Sequence, residues 1–234
     1  MNGADTLIQS FVQAGVNVCF ANPGTSEMHL VQSIDAEPGM RAILALFEGV
    51  CTGAADGYGR MTGMPATTLL HLGPGFANGI ANLHNARRAS SPIINLVGNH
   101  ATWHVGHDAP LTSDIDTLAR NVSSWIKSDS SAASLAADGM GALQAALTAK
   151  PGSQGQISTM IIPAEACWQD ASTIASAPAR PVRPVVDESV IRGIATQLEA
   201  GSLLLLDGHA LTEEGIRAAN QIATATGCQV LAST

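Results

Sequence analysis

The chain is 234 residues long, with 46% apolar and only 13% charged residues and a formal net charge of −8. Such a chain is rich enough in core-forming residues to fold rather than stay disordered, and its acidity, with no stripe of Lys or Arg, argues against a nucleic-acid partner. No run of about 18 apolar residues exists to cross a membrane, and no basic-then-apolar leader opens the chain. The four cysteines (Cys19, Cys51, Cys167 and Cys228) form no C-x-x-C pair, so the expectation is a cytoplasmic protein with reduced thiols.

Leu7, Ile8, Phe11 and Val12 recur at helical spacing across residues 4–14. Asn17–Ala21 reads as a short buried strand that stops at the turn Asn22-Pro23-Gly24, and Thr25 or Ser26 is placed to cap a helix carrying Met28, Leu30, Val31 and Ile34. The alternation then repeats: strand Arg41–Phe47, helix Glu48–Met61, strand Ala66–Leu72, helix Gly75–Ala89 and strand Pro92–Val97. A long polar loop runs to about Leu111, followed by a short helix Asp114–Ala119, a short strand Val122–Ile126, a long Ala-rich helix Ser131–Ala149 and a strand Ile157–Ile162 stopped by Pro163.

Apolar strands without polar alternation, separated by helices, predict an α/β fold: a parallel sheet with helices on both faces. Ligands of such sheets lie beyond the carboxyl ends of the strands. From Ala171 to Pro184 the composition shifts to Ala, Ser, Pro and Arg, as in an inter-domain linker. The domain reading is therefore 1–170, a linker 171–186, and the start of a second α/β unit at 187–234. That unit is predicted as helix 187–199, strand 202–206, helix 212–226 and strand 228–232, which is a small core for an independent domain. The expectation is that it is cut short or completed by another chain.

Glu48 follows the apolar run ILALF at the end of a predicted strand. A carboxylate in such company should lose solvation, titrate high and be able to relay a proton; its plain role is a helix-start acid facing the macrodipole. Around it, in order after successive strands, stand Asn22-Pro23-Gly24-Thr25, then Ala54-Ala55-Asp56-Gly57-Tyr58-Gly59-Arg60, then His71-Leu72-Gly73-Pro74-Gly75 with Asn78. This set resembles the pyrimidine-binding domain of thiamine-diphosphate-dependent enzymes, in particular the acetolactate-synthase-like and benzoylformate-decarboxylase-like groups. The resemblance covers residues 1–165 and extends into the family's central domain from residue 185 onward.

The resemblance implies that Glu48 hydrogen-bonds the aminopyrimidine ring, favouring the imino tautomer that deprotonates the thiazolium. It places His71 and Thr25 beside the substrate as further catalytic residues. It gives cofactor contacts to Pro23, Gly24, Glu48, Gly73, Gly75 and Asn78. The plain alternatives are a core histidine for His71 and a helix N-cap for Thr25. Gly73-Pro74-Gly75 follows the acetolactate-synthase version of its loop, whereas His71 follows the decarboxylase version, and Phe47 and Gly49 match neither.

The resemblance also implies a thiamine-diphosphate-dependent decarboxylase or carboligase acting on a small 2-oxo acid, with an active site between two subunits of a homodimer or homotetramer. In this family Mg2+ and the diphosphate are held by a Gly-Asp-Gly domain, and no Gly-Asp-Gly occurs in this chain. The expectation is an N-terminal part that binds the cofactor weakly and is inactive alone. One subunit of a split enzyme and a stand-alone, non-catalytic binding or regulatory module are the competing readings. Whether the central domain holds FAD is open. His100, His104, His107 and Asp108 have metal-ligand chemistry, but they lie in the long loop rather than on one helix face, which favours a substrate-side or interface loop. Asp207-Gly208-His209 reads as a strand-to-helix turn.

Overall fold

A computed structural model describes residues 1–148, 154–182 and 185–233. The described residues divide into two compact units, the first running to Arg180 and the second from Pro181 onward.

In the first unit, helix α1 (Gly3–Gln13) leads into β1 (Val18–Asn22), a 3-10 turn at Thr25–Glu27 and α2 (Met28–Ala36). β2 (Arg41–Leu44), α3 (Glu48–Thr62), β3 (Ala66–His71), α4 (Leu72–Arg88) and β4 (Ile93–Asn99) follow. Then come the short helices α5 (Thr102–Val105) and α6 (Ile115–Arg120), β5 (Trp125–Lys127), α7 (Leu135–Leu147), β6 (Ile157–Pro163) and α8 (Ala164–Trp168). All six strands are parallel, in the order β2-β1-β3-β4-β6-β5.

Successive residues of a strand point to opposite faces of its sheet. Leu69, Leu96 and Met160 join α1, α2 and α7 in one core, with Leu7, Phe11, Leu30 and Leu143. Their neighbours Leu70, Val97 and Ile161 join α3 and α4 in the other, with Ala55, Phe76 and Leu83. Both faces are covered, so the strands carry unbroken apolar runs. A polar chain crosses the sheet and satisfies itself: Thr68 Oγ1 donates to Asn95 Oδ1 (2.8 Å), and Asn95 Nδ2 donates to Thr159 Oγ1 (3.0 Å).

Several predicted bounds move. β2 ends at Leu44 rather than Phe47, leaving Leu46 and Phe47 exposed. α4 begins at Leu72, so Gly73-Pro74-Gly75 forms its first turn, where a proline costs no helical hydrogen bond. The loop after β4 contains α5, and α8 follows Pro163 directly. α7 starts at Leu135 because Ser131 and Ser134 close a hydrogen-bonded turn before it; Ala149, its predicted last residue, lies outside the described residues, as do Arg183 and Pro184 of the linker.

The second unit contains α9 (Glu188–Ala195), β7 (Leu203–Leu206), α10 (Glu213–Thr226) and β8 (Gln229–Ala232), with β7 and β8 parallel. Asp207 at the end of β7 accepts from the Gly208 N–H (2.7 Å) and from Ser233 Oγ (2.7 Å), the role of a turn residue.

Candidate functional site

β1 and β3 are adjacent strands, so the residues that follow them meet at one edge of the sheet. Glu48 opens α3 there. Its Oε2 accepts from Asn78 Nδ2 on α4 at 3.0 Å. Asn82 Nδ2 donates to the Gly49 carbonyl (2.7 Å) and Thr52 Oγ1 to the Gly79 carbonyl (3.0 Å), which stitches the start of α3 to α4. Gly75 lies between Glu48 and His71: a Cβ added there would stand 3.3 Å from Glu48 Oε1 and 3.4 Å from His71 Cβ. The burial expected of Glu48 is not met. It is half-exposed, because its apolar neighbours Leu46, Phe47 and Val50 also project outward.

The most deeply buried carboxylate at this edge, among the described residues, is Glu27, which the sequence pattern did not single out. It is fully buried; its Oε2 accepts from the Gly24 N–H (2.7 Å) and pairs with His71 Nδ1 (2.8 Å). Its Oε1 is also buried and has no partner. Burial raises the Glu27 carboxyl above the usual range, and the Gly24 N–H and His71 partly offset this. Two glycines make room for the pair. A Cβ on Gly24 would run into the His71 ring, and one on Gly98 into the Glu27 carboxylate. Leu72, buried and next to His71, holds a φ of 52°, a left-handed conformation costly for leucine, at the sharp turn from β3 into α4. The sequence signal for Glu27 was present: a glutamate three residues beyond a turn glycine is the carboxylate half of a capping box.

The other predicted residues are distributed as follows. Thr25 caps no helix; it is the exposed first residue of the 3-10 turn, and the Glu27 carboxylate takes up the turn's N–H instead. Pro23 lines a separate apolar groove of about 440 Å3 with Val31, Ile34, Met40 and Leu44. Gly73 is buried against Ser113. Asp56 and Arg60 form a two-point ion pair within α3 (2.8 and 2.7 Å), and Ser91 Oγ donates to Asp56 (2.5 Å), so this motif fixes α3 to the start of β4. The rings of His100 and His104 stand 5.3 Å apart and those of His104 and His107 5.7 Å apart. Among the described residues, however, no group of three or more His, Cys, Asp or Glu side chains is placed to hold a metal ion. No described helix is long and apolar enough to cross a membrane.

Comparison with known proteins agrees with this architecture. The family model described as "Thiamine pyrophosphate enzyme, N-terminal TPP binding domain" matches residues 1–120. The chain is 50% identical over 235 residues to "Putative acetolactate synthase large subunit IlvX" of Mycobacterium tuberculosis, covering 100% of this chain and 44% of that protein. The fold superposes with a TM-score of 0.86 on "a putative thiamin diphosphate-dependent enzyme" from Mycobacterium smegmatis, at 24% identity, covering 100% of this chain and 45% of the other. It superposes with a TM-score of 0.84 on a thiamine diphosphate-dependent 4-hydroxybenzoylformate decarboxylase of Rhodococcus jostii RHA1, at 21% identity and 44% of that chain. The chain thus spans less than half the length of these three proteins. With a matching family model over half its residues and a parallel sheet of the same fold, the chain belongs to the thiamine pyrophosphate enzymes and carries their N-terminal TPP-binding domain.

Proposed function

We propose that this chain is the pyrimidine-binding part of a thiamine-diphosphate-dependent decarboxylase or carboligase of 2-oxo acids, with Glu48 as the residue that meets the aminopyrimidine ring. The observation that carries this reading is the setting of Glu48. One carboxylate oxygen is fixed by Asn78, and the other stands beside Gly75 at a half-exposed surface rimmed by Leu46, Phe47 and Val50. That donor set fits a flat heteroaromatic ring with one N–H to give and apolar faces to cover. Thiamine diphosphate, when bound, supplies the electron sink that loss of carbon dioxide from a 2-oxo acid requires.

The chain's own residues have three tasks. Glu48 holds a proton at the ring nitrogen, at an oxygen that Asn78 keeps from rotating away. His71, its Nδ1 engaged by Glu27, presents Nε2 as the ring nitrogen able to meet a substrate carboxylate or carbonyl. Thr25, on the exposed turn after β1, offers a hydroxyl beside the same sheet edge. The diphosphate and its Mg2+ fall to a domain outside these residues, and the assembly is a homodimer or larger in which a partner presents the cofactor to Glu48. FAD has no assigned place in this reading.

The test is Glu48→Gln in the enzyme as purified from its source with thiamine diphosphate and Mg2+, followed by carbon dioxide release from a panel of 2-oxo acids. A positioned proton-transfer group contributes about 10²–10⁴-fold, so turnover should fall by that factor with assembly unchanged. Unaltered turnover would remove the reading.

A further inference from the structure

The Glu27–His71 pair combines full burial with a missing bond. The Glu27 side chain has no exposed surface, whereas that of His71 is 22% exposed. Glu27 Oε2 meets both the Gly24 N–H (2.7 Å) and His71 Nδ1 (2.8 Å), while Oε1, enclosed beside Gly98, meets no donor. The histidine is seated as firmly. The left-handed Leu72 turns the chain immediately after it, and the bare backbone of Gly24 lies against its ring. Among the described residues Nδ1 is the His71 nitrogen that finds a partner, and Nε2 is free for a ligand.

An ionised carboxylate offers acceptor sites on both oxygens. Here two bonds fall on one oxygen and none on the other. A buried charged oxygen without a donor costs more free energy than a neutral carbonyl in the same place. A carboxylic acid fits the arrangement better: Oε2 accepts from Gly24 and donates its O–H to Nδ1, and Oε1 is left as a carbonyl. A purely structural cap, by contrast, gains from being charged at a helix start. Burial also moves the Glu27 carboxyl upward, and the Gly24 bond and the His71 charge offset this only in part. The surrounding ionisable groups give a carboxylate no further support. Cys167 of α8 and Glu48 across Gly75 bring no positive charge, His29 of α2 packs against the Trp168 ring, and His100 beyond β4 is itself held below its usual pKa.

We infer that Glu27 is a positioning residue that works as a neutral acid: its O–H is donated to His71 Nδ1, which fixes the imidazole with its own hydrogen on Nε2 and makes Nε2 a donor to an anionic oxygen. That this oxygen belongs to a 2-oxo acid rests on the proposed function above. The same bond makes the pair a proton relay. When Nε2 gives up its proton, the Oε2 proton passes to Nδ1, the imidazole stays neutral and the negative charge comes to rest on Glu27. Nε2 then carries a lone pair and is an acceptor.

The experiment uses the whole 234-residue chain carrying 15N-histidine and 13C-glutamate, without cofactor or substrate. NMR reads the two ring nitrogens of His71 and the carboxyl carbon of Glu27 across pH. The signals are assigned by their loss in His71→Gln and Glu27→Gln, or through bonds to the backbone where a variant does not fold. At neutral pH the expected spectrum has a protonated Nε2, a bare Nδ1 and a protonated Glu27 carboxyl. As pH rises, all three signals should move with one midpoint, well above the ordinary glutamate value of about 4.3, with Nδ1 gaining a proton as Nε2 loses one. Two protonated ring nitrogens beside an ionised carboxyl would overturn the inference, because the pair would then be an ion pair. A protonated Nδ1 and a bare Nε2 at neutral pH would also overturn it, since Glu27 would then be an ordinary cap carboxylate. Neither readout involves Glu48 or thiamine diphosphate, so failure of the relay shows only in these signals and failure of the proposed function only in the turnover of Glu48→Gln.

Discussion

The two units of this chain are built from the same pattern of strand and helix but differ in what they bury. In the first unit Phe11, Phe76, Leu69, Leu70 and Leu96 are sealed between the sheet and its helices. In the second, the buried apolar residues among those described are Leu206, Ala219 and Cys228, while Val190, Ile191 and Ile194 of α9, Leu203 and Leu205 of β7, and Ile216 of α10 are exposed. The local code is equally good in both: α10 has a threonine N-cap bonded to Gly215 and a left-handed Gly227 at its end. Caps and periodicity specify an element, but hydrophobic burial by neighbours decides how much stability it returns.

The sharpest way to break this comparison is a pair of truncations. Phe11→Ala should cost about 3–5 kcal/mol in denaturant unfolding of the first unit, whereas Ile216→Ala, at a surface-like position, should cost less than about 1 kcal/mol. Similar losses at the two sites would show that the second unit's apolar side is covered in solution. Hydrogen exchange should rank the units the same way, with β7 and β8 amides exchanging before those of β3 and β4.

Within the first unit, Gly98→Ala should destabilise by about 1–3 kcal/mol, because the new methyl must displace the buried Glu27 carboxylate. A neutral result in thermal melts would mean that Glu27 has another place to go.

Glu27 also gives the first unit a pH dependence. Its native carboxyl is raised above the unfolded value, so the folded chain holds a proton that the unfolded chain has released. The stability from this group is full below the ordinary carboxylate range and declines as pH rises through the raised pKa. Glu27→Gln should therefore melt at or above the parent temperature at pH 8, with the difference vanishing near pH 4. A parent that melts higher at pH 8 would show that the pairing with His71 outweighs burial.

The smallest effect concerns the thiols. Burial pushes Cys19 and Cys167 up to about 12 and Cys51 up to about 11, where Glu48 adds to the shift. These three should react with a disulfide reagent at neutral pH only as fast as the first unit opens. Rapid labelling of any of them in the native chain would contradict the packing described for that strand or helix.

Strand and helix order was legible because apolar runs and glycine or proline turns are local signals. The candidate site was legible in part. Glu48, His71 and Asn78 follow strand ends or lie on the helix beyond one, and a parallel sheet gathers such residues at one edge. The capping-box position of Glu27 was legible, but its burial was hidden, since that depends on Gly98, more than seventy positions away, having no side chain.

The amino-acid sequence by itself determined the alternation of elements, the two-sided core and the family pattern at Glu48 and His71, because each is written in residues close together along the chain. Only the tertiary structure decided which carboxylate is buried and which of its oxygens is left without a partner. These are properties of distances between strand ends, and parallel pairing sets them by bringing together residues remote in sequence.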